Sequence, residues 1–217
     1  ILVGISIDGT EKNHDHYRKT ASGGPTFRAV MRGIELLQKH RVEFNTLSVV
    51  NDYNVSMAGE TYRFLKQIGS VFMQFLPVVE RISDTGDIKE LKLVAPLHGE
   101  ARVAPWTVGP EDYGRFLITI FDEWVRKDVA RYYVQIFDAT LANYAGEMPG
   151  LCVFSETCGD ALATEPNGDL FSCDHFVDPE HPLGNIRDTP LIELLENPRL
   201  IDFGRNKYDA LPRYCRT

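Results

Sequence analysis

The sequence has few cysteines, no long apolar run and less positive than negative charge. Its 217 residues hold 31 acidic side chains against 23 lysines and arginines, a formal net charge of -8. Because phosphate binding needs clustered positive charge, this balance argues against nucleic-acid and anionic-membrane surfaces. No apolar run approaches the roughly 20 residues of a membrane-spanning helix. We therefore expect a cytoplasmic protein whose partners are neither nucleic acid nor a membrane.

Four cysteines in a chain of this size do not make a disulfide scaffold. They include no C-x-x-C pair, which is the motif of thiol–disulfide redox sites. A structural zinc site usually takes two close pairs of ligands, and Cys152 and Cys158 are too far apart to form one, although His175 could be a fourth ligand. An iron–sulfur cluster accepts irregular spacing and a distant ligand. Two disulfides, or unrelated buried thiols, stay open as alternatives.

Three of the four cysteines surround one predicted hairpin: Cys152, Cys158 and Cys173. Residues 161–164 and 169–172 are expected to pair across Asn167 and Gly168, because Asn-Gly is among the strongest hairpin signals. Thiolates gathered on a tight turn can hold a soft metal or an iron–sulfur cluster. Asp174 directly follows the last of these cysteines, a suitable place for a carboxylate that handles a proton beside a redox centre.

The first part of the chain alternates between strand and helix patterns. Strands are predicted at 2–7, 42–50 and 71–79, with helices starting at Phe27 and covering 60–68. Short connections between such elements predict right-handed βαβ units on a parallel sheet, and therefore an α/β fold. Ligands of these sheets bind at the carboxyl ends of the strands. The residues predicted at that edge are Ser6, Asp8, Gly9, Asn51, Asp52, Pro77, Val79 and Glu80.

The remaining segments complete the prediction. Residues 10–24 and 174–186 are polar loops, and 81–108 is irregular, which indicates an insertion over a sheet edge or a site. The clearest helix covers 111–127, where an apolar stripe from Tyr113 to Val125 predicts a core face. A strand at 131–137 and helices at 139–144, 190–196 and 201–208 follow. Because the chain begins with Ile1 in a core-like strand and stops just after Cys215, we expect a segment of a longer polypeptide.

Motifs that carry a family resemblance run through nearly the whole chain. They are GISIDG, HDHYR, VMRGIELLQKH, VEFNTLSVVND, YRFLKQIGS, FMQFLPVVER, CDHFVDP and LGNI. With them the chain resembles the anaerobic sulfatase-maturating enzymes, radical S-adenosylmethionine proteins with a SPASM extension. The resemblance implies the C-terminal half of a partial (β/α)6 radical-SAM barrel at 1–145, with the insertion at 81–108. A truncated SPASM extension with a β-hairpin and short helices is implied at 146–217.

The resemblance also implies an activity. A reduced [4Fe–4S] cluster cleaves S-adenosylmethionine, and the 5′-deoxyadenosyl radical takes a hydrogen atom from Cβ of a cysteine or serine in a sulfatase. Loss of a proton and a second electron then gives formylglycine under anaerobic conditions. The implied partners are a sulfatase polypeptide and an electron donor such as a flavodoxin or ferredoxin.

The resemblance assigns roles to eight residues by position. The S-adenosylmethionine contacts are Ser6, Arg18 and Val79. The ligands of the first auxiliary cluster are Cys152, Cys158 and Cys173, and Cys215 is the first ligand of the second. Asp174 is the carboxylate that deprotonates the substrate.

One departure from the family is serious, because the C-x-x-x-C-x-x-C motif of the radical-generating cluster is absent from this sequence. We predict that these 217 residues alone cannot generate the radical. Two rival functions remain: a sister SPASM enzyme that modifies another peptide, and a non-catalytic zinc- or thiol-bearing module that binds a partner chain.

Overall fold

The computed structural model describes residues 3–83, 101–148, 150–159, 161–178 and 181–213. The chain divides into two compact units, Ile1–Asp138 and Ala139–Thr217. None of the helices in these described ranges is long and apolar enough to cross a membrane.

The first unit is a parallel sheet with helices between its strands. In chain order its elements are β1 (Val3–Ser6), α1 (Glu11–Tyr17), α2 (Phe27–Lys39), β2 (Phe44–Val50), α3 (Ala58–Gln67), β3 (Phe72–Pro77), β4 (Arg81–Ser83), β5 (Ala101–Val103), α4 (Pro110–Lys127) and β6 (Tyr133–Val134). The parallel strands lie in the order β1-β2-β3-β6. Each of these parallel strands lies beside the parallel strand that precedes it in the chain, as in a barrel wall. In a doubly wound sheet the spatial order of the strands would reverse partway along the chain. The predicted α/β fold is confirmed.

The apolar core of the first unit packs against one face of β2. Along this strand buried and half-buried side chains alternate; Phe44 and Val50 on the buried face belong to the core, whereas Leu47 and Val49 on the opposite face do not. Ile7, Leu65 and Met73 from neighbouring elements are essentially inaccessible to solvent. Burying one such side chain stabilises the fold by about 1.5–3 kcal/mol, so this unit has a core of its own.

Helix α4 packs with a narrower stripe than its sequence predicts. Phe116, Ile120 and Trp124 recur every four residues and are buried, as one face of a 3.6-residue period requires. Phe121 and Val125 lie off that line and remain 41% and 45% exposed. The apolar pattern therefore placed the helix correctly and overstated the width of its buried face.

Two segments of the first unit differ from the prediction. Residues 11–17, predicted as a polar loop, form α1, which buries Asn13 and His14. Its inner face is polar, so apolar periodicity could not reveal it. The strand predicted at 131–137 is only two residues long (β6), because helix α5 (Gln135–Tyr144) begins directly after it. The division between the two units falls within α5.

The predicted insertion is an antiparallel hairpin at its base. Strands β4 and β5 pair Arg81 with Val103 and Ser83 with Ala101. After β5 the chain returns along the end of β3, where the Val108 N–H donates to the Val78 carbonyl at 3.1 Å. Residues 84–100 lie outside the described ranges.

The second unit contains a small antiparallel sheet and two helices. Its elements after α5 are β7 (Ala163–Thr164), β8 (Asp169–Phe171), β9 (Pro182–Asn185), α6 (Leu191–Leu195) and α7 (Pro198–Asp209). The predicted hairpin is confirmed: β7 pairs with β8 across a turn in which Gly168 has a φ of +94°. Strand β9 pairs with β8 and lies in a segment predicted as a loop. The leucines at 170, 183, 194 and 200 form a core beneath this sheet.

Candidate functional site

A cavity of about 530 Å³ opens at the carboxyl edge of the parallel sheet. Its described lining residues are Asp8, Tyr17, Arg18, Val49, Asn51, Val78, Glu80 and Trp106. Several of them follow directly after β1, β2 and β3, which is where parallel sheets bind ligands. The volume is in the range of about 300–1,000 Å³ that small-molecule sites occupy. This is the edge at which the sequence predicts a ligand.

Asp8 and Arg18 form a buried, two-pronged ion pair inside the cavity wall. Arg18 Nε lies 2.5 Å from Asp8 Oδ2, and Arg18 Nη2 lies 3.0 Å from Asp8 Oδ1. The Val49 N–H also donates to Asp8 Oδ1, at 2.8 Å. The Asp8 side chain is 4% exposed and that of Arg18 is 29% exposed. The carboxylate is therefore enclosed, while the guanidinium still reaches the cavity.

His14 connects the main chains of Asp8 and Arg18 through hydrogen bonds. The Asp8 N–H donates to His14 Nδ1 at 3.3 Å, and His14 Nε2 lies 3.0 Å from Thr26 Oγ1, which donates to the Arg18 carbonyl at 2.7 Å. This chain of bonds requires a neutral imidazole with its proton on Nε2. Burial lowers the pKa of His14, and the Arg18 charge adds to this effect, against the opposing charges of Asp8 and Asp15.

Two further hydrogen bonds join aromatic rings to carboxylates around the cavity. Tyr17 donates to Asp52 at 2.8 Å, and the Trp106 indole N–H donates to Glu80 at 2.5 Å. Burial raises the pKa of Tyr17 to about 12, and the hydrogen bond to Asp52 and its charge contribute. The tyrosine therefore stays a neutral donor at physiological pH.

The three residues assigned to S-adenosylmethionine by resemblance lie at this edge. Arg18 lines the cavity. Ser6 is the exposed last residue of β1, and Val79 is 67% exposed between the lining residues Val78 and Glu80. Of the three residues, Arg18 is among the described residues that line the cavity, and Ser6 and Val79 are close in sequence to residues that do.

Cys173, Asp174 and His175 form a separate cluster in the second unit. The Cys173 side chain is buried, and its Sγ donates to Asp174 Oδ1 at 3.3 Å. The backbone N–H of His175 donates to Cys173 Sγ at 3.4 Å, and His175 Nδ1 lies 3.0 Å from Asp174 Oδ1. The ligand atoms of the three residues lie within 4.8 Å of one another. Asp174 is 63% exposed, so an incoming group can reach it.

The protonation of these groups reflects their contacts. Burial raises the pKa of the Cys173 thiol; the His175 N–H opposes this, and the charges of Asp174 and Cys158 add to it. Burial tends to raise the pKa of Asp174, but hydrogen bonds from Cys173 and His175 prevail and lower it.

Helix α7 holds the main chain at the other two cysteines. The Cys158 N–H donates to the Gly204 carbonyl at 3.1 Å, and Lys207 Nζ donates to the Cys152 carbonyl. At Gly204 a Cβ atom would overlap the carbonyl oxygen of Cys158, so only glycine allows this approach. The thiol-bearing loop is thus attached to one helix at two points.

Aromatic rings connect α7 to the turn that carries Cys173. The Phe203 centroid lies 5.3 Å from Phe176 and 5.7 Å from His181, and the last two rings are 4.9 Å apart. The Phe176 N–H donates to the Cys173 carbonyl at 3.1 Å. Three separate cysteines are therefore tied to one framework.

The three cysteines are ligands of the type that an iron–sulfur cluster takes. In the described residues, the group of metal-ligating atoms within 4.8 Å of one another contains Cys173 but neither Cys152 nor Cys158. Thiolates are the ligands of such clusters, and a backbone N–H donated to a ligand sulfur is one of the contacts that tune them. Cys152, Cys158 and Cys173 are free thiols, exposed, half-buried and buried respectively. Cys215, which the resemblance assigns to the second auxiliary cluster, lies outside the described residues.

The residues of these two sites that sequence reasoning missed include Tyr17, Trp106, Gly204 and Lys207. Gly204 had a usable signal, since a glycine inside a helical pattern usually has a packing reason. Tyr17 and Trp106 lie in segments predicted as loop and insertion, and nothing local marks either as part of a cavity wall.

The fold defines an α/β protein, and its second unit carries the cysteines of an iron–sulfur module. Residues 152–217 match the family model SPASM, an iron–sulfur cluster-binding domain. The chain is 48% identical over 215 residues to the serine-type anaerobic sulfatase-maturating enzyme of Bacteroides thetaiotaomicron, covering 99% of this chain and 52% of that relative. It is 31% identical over 198 residues to the cysteine-type enzyme of Clostridium novyi, covering 90% and 49%. The chain spans about half the length of the curated relatives it matches.

Solved structures of anSMEcpe have the same fold. With bound AdoMet and a Cp18Cys peptide, anSMEcpe matches all of this chain and 56% of its own, at a TM-score of 0.83 and 27% identity. With AdoMet alone it matches 95% and 53%, at a TM-score of 0.79 and 28% identity. The resemblance to anaerobic sulfatase-maturating enzymes predicted from the sequence is confirmed, and so is the SPASM domain.

Proposed function

We propose that this chain is part of a radical S-adenosylmethionine enzyme that oxidises a serine or cysteine of a sulfatase to formylglycine. The observation that carries the proposal is the proximity of Cys173 to Asp174: a buried sulfur lies 3.3 Å from an oxygen of an exposed carboxylate. Relatives that are similar over nearly the whole chain are named for this activity. A carboxylate beside a cluster ligand can remove a proton where an electron is also accepted.

The reaction on a serine substrate needs three losses: a hydrogen atom from Cβ, a proton from the hydroxyl and one electron. S-adenosylmethionine and its clusters, when bound, supply the radical that takes the hydrogen atom and the acceptor for the electron. Asp174 receives the hydroxyl proton at Oδ1 or Oδ2. Once the hydroxyl proton is lost, the substrate carbon releases its electron more easily, and CH2–OH becomes an aldehyde. A cysteine substrate gives a thioaldehyde, which water converts to the same aldehyde with release of hydrogen sulfide.

The remaining ligand assignments belong to the same proposal. Cys152, Cys158 and Cys173 bind the first auxiliary cluster, and Cys215 belongs to the second. Ser6, Arg18 and Val79 contact S-adenosylmethionine. Support comes from the cavity beside Arg18 and from the attachment of the thiol loop to α7.

The domain assignment is also proposed. Residues 1–145 form the barrel half and 146–217 the SPASM extension. The division of the chain near Asp138 and the family match from residue 152 are compatible with a boundary in this region.

The test of Asp174 is Asp174→Asn in the full-length polypeptide that carries this chain, reconstituted anaerobically with iron and sulfide. Loss of a general base typically costs about 10²–10⁴-fold in rate. We expect formylglycine formation to fall by at least about 100-fold, while iron content and 5′-deoxyadenosine formation persist. Asp188→Asn, an exposed carboxylate of the same unit, is the control. An unchanged peptide oxidation rate in Asp174→Asn would refute the assignment.

The metal distinguishes the enzyme from a binding module. A Cys–Asp–His group is also a plausible zinc donor set. Iron with acid-labile sulfide and a broad visible absorbance supports the enzyme, whereas stoichiometric zinc without iron supports a module that binds a partner chain. A comparison of substrate peptides separates a sulfatase-maturating enzyme from a sister SPASM enzyme. A sulfatase-maturating enzyme should oxidise serine- or cysteine-containing sulfatase peptides and leave an unrelated peptide unchanged.

The 217 residues by themselves are proposed to be inactive, because they lack the C-x-x-x-C-x-x-C motif. Incubated anaerobically with a reductant and a sulfatase-derived peptide, they should form no 5′-deoxyadenosine; robust turnover would contradict this. A flavodoxin or ferredoxin is the proposed electron donor. The cytoplasm is the proposed location, since free thiols persist in a reducing compartment.

A further inference from the structure

Arg18 is held by Asp8 in a way that leaves part of its guanidinium for a ligand. A guanidinium has five N–H groups. Asp8 accepts two of them, from Nε and Nη2, which leaves three that Asp8 does not use. Arg18 also lines the cavity, and its side chain is 29% exposed. The free side of the fork therefore belongs to the cavity wall.

We propose that Asp8 is a positioning residue for the carboxylate of the bound cofactor, because it fixes the guanidinium of Arg18 at the cavity wall. The inference rests on the proposed function, in which the cofactor is S-adenosylmethionine and Arg18 contacts its methionyl end. Arginine recognises a carboxylate through paired N–H groups in one plane, so its orientation decides the strength of the contact.

The orientation of Arg18 is fixed at both ends. Its guanidinium is bound by Asp8, and its carbonyl oxygen accepts from Thr26, which His14 connects back to the Asp8 N–H. Asp8 is itself anchored to β2 by the Val49 N–H. A flexible arginine loses rotamer entropy when it binds a ligand, and one held in advance loses less. Because Arg18 is already held in place, ligand binding costs less entropy, and the affinity is higher than the contact with a mobile Arg18 would give.

Asp8 also occupies one side of the Arg18 guanidinium, so no other anion can bind on that side. The carboxylate is nearly enclosed and occupies one side of the fork at short distance. A ligand must approach from the cavity side and bring its carboxylate into the plane that Asp8 sets. A merely structural ion pair would instead stabilise the loop after α1 without any preference for a carboxylate-bearing ligand.

The test compares two ligands in one protein. Binding of S-adenosylmethionine and of decarboxylated S-adenosylmethionine is measured by calorimetry in the full-length, anaerobically reconstituted polypeptide. Asp8→Asn keeps the size of the side chain and removes its charge, and Arg18→Lys keeps the positive charge and removes the fork. A charged hydrogen bond contributes about 1.5–3 kcal/mol, equivalent to about tenfold or more in affinity. We expect each variant to weaken S-adenosylmethionine by about tenfold and the decarboxylated ligand by less than about twofold.

The outcomes are distinct. Equal loss for both ligands, or no loss for either in Asp8→Asn, overturns the positioning role. Weak binding of both ligands by the unaltered protein would instead refute the proposed function. Thermal unfolding followed by tryptophan fluorescence checks that the first unit of each variant is folded, and a variant that fails this check is replaced by Asp8→Glu, which keeps the charge and displaces the fork. Asp8→Glu should likewise weaken the binding of S-adenosylmethionine more than that of the decarboxylated ligand. Equal effects on the two ligands in this variant would also contradict the proposal.

Discussion

The two units of this chain hold their sites by different means. In the first unit, Asp8 directly follows Ile7, which belongs to a core that also includes Leu65 and Met73, and all three core residues are essentially inaccessible to solvent. In the second unit, the cysteines depend on two hydrogen bonds to α7 and on edge-to-face and tilted ring contacts, and the apolar core is a small leucine cluster. A unit with little apolar core usually needs a staple such as a bound metal. We therefore expect the first unit to fold from its sequence alone and the second to gain stability from its cluster.

The chain contains natural probes for this comparison. Both tryptophans, Trp106 and Trp124, are in the first unit, and all four cysteines are in the second. Tryptophan fluorescence therefore follows one unit, and alkylation of the buried Cys173 thiol follows the other.

The largest expected effect is on the core of the first unit. Leu65→Ala removes a fully buried side chain from α3 and should cost about 2–5 kcal/mol in unfolding free energy. Urea unfolding followed by tryptophan fluorescence measures it. The rate at which Cys173 is alkylated, which follows the second unit, should change much less in this variant than the fluorescence-detected unfolding does. An equal change in both signals would show that the units unfold together and remove the contrast between them.

A pair of helix glycines sharpens the comparison. Gly204→Ala in α7 forces a Cβ into the Cys158 carbonyl, so it should reduce bound iron by more than about half and speed alkylation of Cys173. Gly114→Ala in α4 meets no atom within 4 Å and should stabilise the first unit by about 0.5–1 kcal/mol, since alanine is the better helix former. Iron analysis and urea unfolding measure the two effects. Full iron binding by Gly204→Ala would mean that α7 does not position the thiols.

The smallest effect is the pH dependence of the first unit. Burial lowers the pKa of His14 below its ordinary value of 6.5, so the unfolded chain binds a proton before the folded one does. The stability that His14 contributes is therefore present above pH 6.5 and is lost as the pH falls below it. His14→Gln can retain one acceptor and one donor without titrating. Fluorescence-detected unfolding between pH 7 and 5 should show a shallower loss of stability in this variant; an unchanged slope would contradict the role of His14.

The regular pattern of strands and helices was predictable where apolar residues recur with a clear period. Helix α4 and the Asn167-Gly168 hairpin are examples, because periodicity and turn chemistry act locally. Helix α1 was missed because its two buried residues, Asn13 and His14, are polar and leave no apolar period in the sequence. Strand β9 was missed because its pairing with β8 is a contact across a loop, which local sequence does not encode.

The candidate sites were predictable in part for similar reasons. Asp8 and Glu80 follow apolar strands, so the topology of a parallel sheet brings them to one edge. Trp106 reaches the same cavity through the return of the insertion, and Lys207 reaches Cys152 from a helix 55 residues later. Such long-range approaches arise from tertiary packing. Family resemblance supplied the roles of Asp174 and the cysteines, and the structure supplied the framework around them.

The main-chain hydrogen bonds around Trp106 have a consequence for evolution and engineering. The main chain is held on either side of the indole's residue: the Ala104 N–H donates to the Glu80 carbonyl at 2.9 Å, and the Asp52 N–H donates to the Trp106 carbonyl at 3.2 Å. These bonds do not involve the Trp106 side chain. The residue at position 106 can therefore be exchanged to reshape the cavity wall while the backbone keeps its place.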